Sequence, residues 1–385
     1  MSGERMVTTS TRLRIGALAL ATALSACGGD AESAGTGGSQ DAGPSGGDAP
    51  PTGGTPTGGQ PGPVGGEGAG GQAGGAPAPG GEVGGTPAPG GGPPDWPEDS
   101  DAPWTPQTPA GVDDAVNGVP DVAPPECRDV FVGAVKGWVA APGGAPVPGA
   151  RAQLCVHLSP SDNLLCLQPG TAGEDGVFTI DVPELNRCIT RAAMRVLLPD
   201  AGKATTYCPV AVDAMPSVLR LRDPYVLFQT RPATTLPPQG DATAVRDVVF
   251  EDGTVVEFVP EAWYSGGGIY EELSARRVPV DSVGLCLPEG AAPFTGLYAF
   301  YPEGSVDGGG VFPVHLPNTD GLAPGAQVEL SVLGGLDCLA PGGEPIPEAT
   351  WQVVGTATVS ADGTRIESDA GSGIPCTTWL GYRPL

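Results

Sequence analysis

Only two histidines occur in 385 residues, and 18 lysines and arginines face 44 acidic residues. Aromatic residues make up 5% of the chain. Each shortage excludes something. A Ser-His-Asp triad needs one of the two histidines as its base. His157 falls on the face of its strand-like stretch opposite Leu154 and Val156, and reads as a surface or edge residue. His315, between Val314 and Leu316, reads the same way. The folded segments hold no Gly-x-Ser-x-Gly elbow. There is no His-Glu-x-x-His, no phosphate loop, and no dinucleotide fingerprint set between a strand and a helix. No Cys-x-x-Cys pair occurs, so a structural zinc site lacks its close-spaced ligands. Neither a metal nor a cofactor is expected. A net charge of −26 repels phosphate backbones, which argues against nucleic acid as a partner.

What is present begins at the N-terminus. Arg12 and Arg14 precede an apolar run over 15–23, which is too short for a membrane helix of ~20 residues. Small residues follow, in the order of a secretory signal. The sequence Leu24-Ser25-Ala26-Cys27 resembles the lipobox of bacterial lipoproteins. That resemblance implies cleavage before Cys27 and a lipid on its sulfur. Gly28, in place of an aspartate, implies sorting to the outer membrane. The expected location is the cell envelope, at the periplasmic face or the cell surface, with the lipid as the membrane contact.

Residues 1–26 form the expected signal peptide and 27–126 the expected tether. From 28 to 126 there are fourteen acidic residues and neither lysine nor arginine. Gly and Pro dominate, in near-repeats such as Ala76-Pro77-Ala78-Pro79-Gly80 and Thr86-Pro87-Ala88-Pro89-Gly90. Such a stretch has too little apolar surface to offset the entropy of ordering, so it is expected to be disordered. Its coil span would be roughly 55 Å. Trp96 and Trp104 near its end are expected to pack loosely on the first domain or on nothing, the alternative being a short linear ligand for another protein.

From Cys127 the composition changes. Short apolar stretches alternate with turn residues every 8–12 positions or so, the signature of an all-β sandwich or barrel. The expected fold is all-β: two β-sandwich-type domains, 127–230 and 231–385, after the tether. Strands are expected over 129–139, 151–158, 164–167, 177–180, 191–198, 205–212 and 218–221 in the first domain. In the second they are expected over 245–250, 254–259, 280–287, 297–301, 311–316, 327–333, 351–359 and 376–382. A Pro-rich linker is expected over 230–240, and one helix-like piece over 270–277.

The even count of cysteines after Cys27 reads, in an exported chain, as up to four disulfides. Five lie before residue 230 (Cys127, Cys155, Cys166, Cys188, Cys208) and three after it (Cys286, Cys338, Cys376). Both counts are odd, so complete pairing requires an odd number of bridges between the domains. The expected arrangement joins Cys155 to Cys166 and Cys188 to Cys208, with Cys127 reaching the second domain.

Two further resemblances bear on function. Gly133-Ala134-Val135-Lys136-Gly137, Pro146-Val147-Pro148-Gly149-Ala150, Thr171 and Asp175-Gly176-Val177-Phe178 resemble the carboxypeptidase regulatory-like domain. That family implies a transthyretin-like sandwich that is generally non-catalytic. Pro317-Asn318, Pro324-Gly325, Val354-Gly355-Thr356 and Ser360-Ala361-Asp362-Gly363 resemble a β-rich segment of large bacterial surface proteins. The expected function is a lipid-anchored, non-enzymatic module for binding, adhesion or structural display, with an envelope protein or glycan as ligand. Trp263, Tyr264 and Tyr270 are the candidate ligand platform. The alternatives are a hydrolase using a carboxylate pair drawn from Glu257, Glu271 and Glu272, or an accessory docking subunit of a separate enzyme. The turns Asp307-Gly308 and Asp362-Gly363 read as turn chemistry rather than calcium loops.

Overall fold

The computed structural model describes residues 99–385, apart from 101, 121, 126, 128–129, 159–162, 212–216, 239, 266–271 and 288–292. The lipobox with Cys27, Trp96, Tyr270 and Glu271 lie outside the described residues. No α-helix occurs among the described residues, and their backbone is strand, turn and short 3-10 pieces.

The first domain is a two-sheet sandwich. One sheet runs β1 (Val130–Phe131), β7 (Cys188–Leu197), β3 (Arg151–Leu158) and β4 (Asn163–Cys166). To it β5 (Gly170–Thr171) adds along β3 and β8 (Thr206–Val210) along β7. The other sheet centres on β2 (Ala134–Ala140), with β6 (Val177–Asp181) on one side. On the other side β9 (Val218–Arg220) and β10 (Tyr225–Val226) pair with β2 in parallel. Alternation decides the packing. Leu154, Val156, Met194 and Val196 from one sheet meet Val135, Val139, Phe178 and Ile180 from the other in a shared core.

The second domain is a closed antiparallel barrel of ten strands, not a second sandwich. Its strands are β11 (Arg231–Thr235), β12 (Arg246–Phe250), β13 (Val255–Phe258), β15 (Ser274–Arg277), β16 (Gly296–Tyr301), β18 (Val314–Pro317), β19 (Gln327–Leu333), β20 (Trp351–Val359), β21 (Arg365–Ser368) and β22 (Trp379–Pro384). The ring order is β11-β12-β13-β18-β21-β20-β19-β22-β16-β15. A separate two-stranded sheet of β14 (Trp263–Ser265) and β17 (Gly304–Val306) packs on the barrel core through Trp263 and Val306.

Closure comes from strands that the composition hides. β11 lies in the stretch read as a linker, and β15 lies where a helix was expected. β21 had no apolar pattern at all. The stretch 280–287, expected as a strand, is instead turns and coil.

Inward positions of the barrel are filled by large side chains. Phe258 lies 4.8 Å from Phe312, centroid to centroid, and Phe250 meets Phe300 edge-on at 6.3 Å. Outward positions carry Asp247, Glu257, His315, Glu329 and Glu367. This apolar-in, polar-out order is the reverse of a barrel whose wall faces lipid. At Gly296 and Gly381 a Cβ would collide with the rings of Tyr382 and Phe294, at 2.2 and 2.6 Å. Those two rings therefore lie flat over neighbouring strands only because glycine is there.

Candidate functional site

Both outer faces of the sandwich are covered, and the covered faces converge on the seam with the barrel. On the β2 sheet the outward residues are Lys136, Trp138 and Ala140, all buried. What buries them is the segment 99–120, which composition groups with the disordered tether. Here it is a packed strap. Val112 is fully buried against Trp138 and Ala140. The ring of Trp104 meets Trp138 edge-on at 6.2 Å. Lys136 Nζ donates to the Asp114 carbonyl (3.3 Å), and Arg222 pairs with Asp113 at 2.6 Å.

The strap's first described residue, Asp99, is its deepest polar anchor. Its carboxylate is only 5% exposed and pairs with Arg276 of β15 at 2.7 Å. It also accepts the Gln229 backbone N–H at 2.5 Å and faces Lys203 of the sandwich at 3.6 Å. Burial of the Lys203 amine lowers its pKa, an effect that Asp99 only partly offsets. One carboxylate thus holds residues from both domains. Truncating one partner of so buried an ion cluster leaves uncompensated charge, which is costly.

The outer face of the β7 sheet, which carries the arginines of that strand, docks on the barrel. Arg195 donates to Glu303 Oε2 through Nε (3.1 Å) and Nη2 (2.8 Å). The Tyr207 hydroxyl and the Leu336 backbone N–H both donate to Glu303 Oε1. Burial, then the Glu303 charge, holds the Tyr207 phenol well above its ordinary pKa. Around this group lies an apolar seam in which Phe228 meets Trp379 edge-on at 5.5 Å, and Trp379 Nε1 donates to the Thr205 carbonyl at 2.8 Å. His157, expected at the surface, is buried in the same seam, with Arg191 at 3.2 Å and Glu348 of the barrel at 3.6 Å. The face was polar because its partner is polar, not because it is wet.

All eight cysteines after Cys27 are paired, which marks an oxidising, extracytoplasmic compartment. The bridges are Cys127–Cys188, Cys155–Cys166, Cys208–Cys286 and Cys338–Cys376. The expected odd number of inter-domain bridges is one, and the cross-strand pair Cys155–Cys166 is as expected, the two residues being direct partners in the ladder. The other two expected pairings are corrected. Cys188 joins Cys127, because β1 brings the chain before it alongside the start of β7. Cys208 on β8 is the residue that reaches the barrel.

The remaining candidates separate. Trp263 and Tyr264 are neighbours on β14 and point to opposite sides. Trp263 packs on Phe258 at 5.3 Å, while Tyr264 is 65% exposed. They do not form one platform. Glu257 pairs with His315 at 2.9 Å on the barrel's outer wall. Glu272, just before β15, lines a separate cleft of about 220 Å³ at the seam, with Asp200, Lys203 and Tyr301. In the ring, β11 and β12 lie between β13 and β15, so Glu257 is not paired with Glu272. Asp362 accepts Ser360 Oγ and both Thr364 donors. These bonds pull its pKa to about 2, and they are turn chemistry. No metal-binding group of three or more His, Cys, Asp or Glu occurs among the described residues.

Two larger openings flank the strap. One, of about 650 Å³, runs between β8 and the 219–225 stretch over the Cys208–Cys286 bridge. The other, of about 270 Å³, lies where strap, sandwich and barrel meet. Sequence reasoning set Trp104 against the first domain, where it packs on Trp138, but missed the rest of the strap, the Asp99 anchor and the Arg195–Tyr207–Glu303 group. Trp104 and Val112, isolated large side chains in a Gly/Pro-rich stretch, were the available signal. No family model, curated protein or solved structure matches this chain.

Proposed function

We propose that this protein is a lipid-anchored module of the cell envelope, non-enzymatic, which holds a rigid two-domain head for binding or structural display. The observation that carries the reading is the set of four disulfides in a chain that also carries Leu24-Ser25-Ala26-Cys27 after a short apolar run. Export accounts for the bridges, and a lipid on Cys27 would hold the exported chain at the envelope. The acidic tether supports the same reading, since like charges extend a chain. The polar groups of the seam are spent on joining the two domains: Glu303 is saturated by Arg195, Tyr207 and Leu336, and Asp99 by Arg276, Lys203 and Gln229. The resemblance of the sandwich to the carboxypeptidase regulatory-like domain points to an accessory role as well.

The test is metabolic labelling with a clickable palmitate in cells making the wild-type chain or Cys27→Ser. The wild type takes up label and fractionates with the outer membrane. Cys27→Ser loses the label and is released. Label retained by Cys27→Ser, or intact unprocessed chain in the cytosol, overturns the reading. Protease shaving of whole cells then separates surface display from the periplasmic face.

A further inference from the structure

The chain holds two lysines, Lys136 and Lys203, and neither stands out into solvent. Lys136 spends its amine on a strap carbonyl. Lys203 is set against a carboxyl group instead. Its Nζ lies 3.6 Å from Asp99 Oδ1, and the two side chains are 12% and 5% exposed. The other oxygen, Oδ2, accepts Arg276 Nη1 at 2.7 Å and the Gln229 backbone N–H at 2.5 Å. The backbone fixes this arrangement. Lys203 and Gln229 face each other in an antiparallel bridge, and Gln229 Nε2 donates to the Ala201 and Gly202 carbonyls at 2.9 and 2.8 Å. An ammonium and a carboxylate usually close to ~2.7–2.9 Å. Here Arg276 takes that short contact, and the amine stands off beside the carboxyl group.

We propose that Lys203 and Asp99 condense into an amide, a covalent bond between the strap and the sandwich. The Lys203 ammonium gives one proton to Asp99 Oδ1, which leaves a neutral amine beside a neutral acid. The amine attacks Cγ, and the carbonyl electron pair moves onto Oδ2. Two donors already point at that oxygen, Arg276 and the Gln229 N–H, so the charge develops where it is stabilised. The electron pair then returns, the Cγ–Oδ1 bond breaks, and Oδ1 leaves as water with a second proton from the nitrogen. An ammonium and a carboxylate become an amide and one water, with nothing oxidised or reduced. Burial lowers the Lys203 pKa; Asp99 opposes that and Arg276 adds to it, so the attacking amine is formed more readily than on a solvated lysine. Holding the two groups together replaces concentration, since well-placed pairs reach effective molarities of about 10⁵–10⁸ M. The low exposure of both groups keeps out the water that would reverse the step. Afterwards Oδ2 is the amide carbonyl oxygen and still serves Gln229 and Arg276, which also keeps the Gln229 carbonyl at 3.4 Å. The bond would form whether or not Cys27 carries a lipid.

The full-length chain is purified folded, then reduced, alkylated and digested with trypsin for mass spectrometry. The peptide carrying Asp99 is recovered joined to the peptide carrying Lys203, at the sum of their masses less one water. Trypsin leaves the chain uncut after Lys203 but cuts after Lys136, the internal control. Lys203→Arg keeps the cation and has no nucleophilic amine at neutral pH. It gives no joined species, and neither does Asp99→Ala. Recovery of the two wild-type peptides separate and at full mass, with cleavage after Lys203, overturns the proposal. So does a joined species that persists in Lys203→Arg. The wild-type peptide map decides on its own, even if a variant fails to fold.

Discussion

The sandwich and the barrel solve one problem in two ways. A β-sheet leaves edges with unpaired backbone groups, and each edge is a route to fraying or to pairing with another chain. The barrel removes its edges by joining β11 to both β12 and β15, and it carries one internal disulfide. The sandwich stays open. It is touched by three disulfides, wrapped on one face by the strap and capped on the other by the barrel. Its edge strand β8 also contains Pro209, which cannot donate to an added strand. A closed ring is held by its own ladder and its filled interior, whereas an open one depends on what is attached to it.

Three variants sharpen that contrast. The largest effect belongs to the barrel interior. Phe312→Ala empties a fully buried ring position against Phe258, and costs about 3–5 kcal/mol in urea unfolding. A loss below about 1 kcal/mol would mean that the barrel is not held by its filled interior. Next comes the bridge between domains. Cys208→Ser with Cys286→Ser costs about 2–4 kcal/mol, and more than the Cys155/Cys166 pair. Its closed loop spans 78 residues against 11, and the chain-entropy difference is roughly 1.5–2 kcal/mol. Equal losses would show that strain or residual structure, not loop length, sets the value. The smallest of the three is Asp99→Asn, which keeps the shape and removes the charge. It costs roughly 1–3 kcal/mol, and hydrogen exchange speeds up first at the Gln229 amide that Asp99 accepts. If exchange rises only in the strap and not at Gln229, the anchor does not join the two domains.

Strand identity was legible where the alternation was long. Arg151–Leu158, Gln327–Leu333 and Trp351–Val359 were placed to the residue. Each carries enough apolar residues on one face to reveal a period of two. Closure was not legible, because the strands that complete the ring are four or five residues long and polar. Arg231–Thr235 even contains Pro232, which the alternation rule counts against a strand. The parity of the cysteines forced a bridge between domains, but only the register of β1 on β7 decides that Cys188 takes Cys127. The strap was lost in its own composition. Asp99 looks like any other acid of the tether, and nothing local reveals that Arg276, 177 positions later, comes to meet it. His157 was misplaced for a related reason: a polar face reads as wet whether its partner is water or another protein surface.

The Asp99 anchor also has a mechanical meaning. A pull transmitted along the strap from its N-terminal side meets, at Asp99, a residue gripped by both lobes at once, through Arg276 in one and Lys203 in the other. Load entering there is divided between barrel and sandwich, with the Cys208–Cys286 link as a covalent stop behind it. Tension would have to break that grip before it could begin to peel the open sheets.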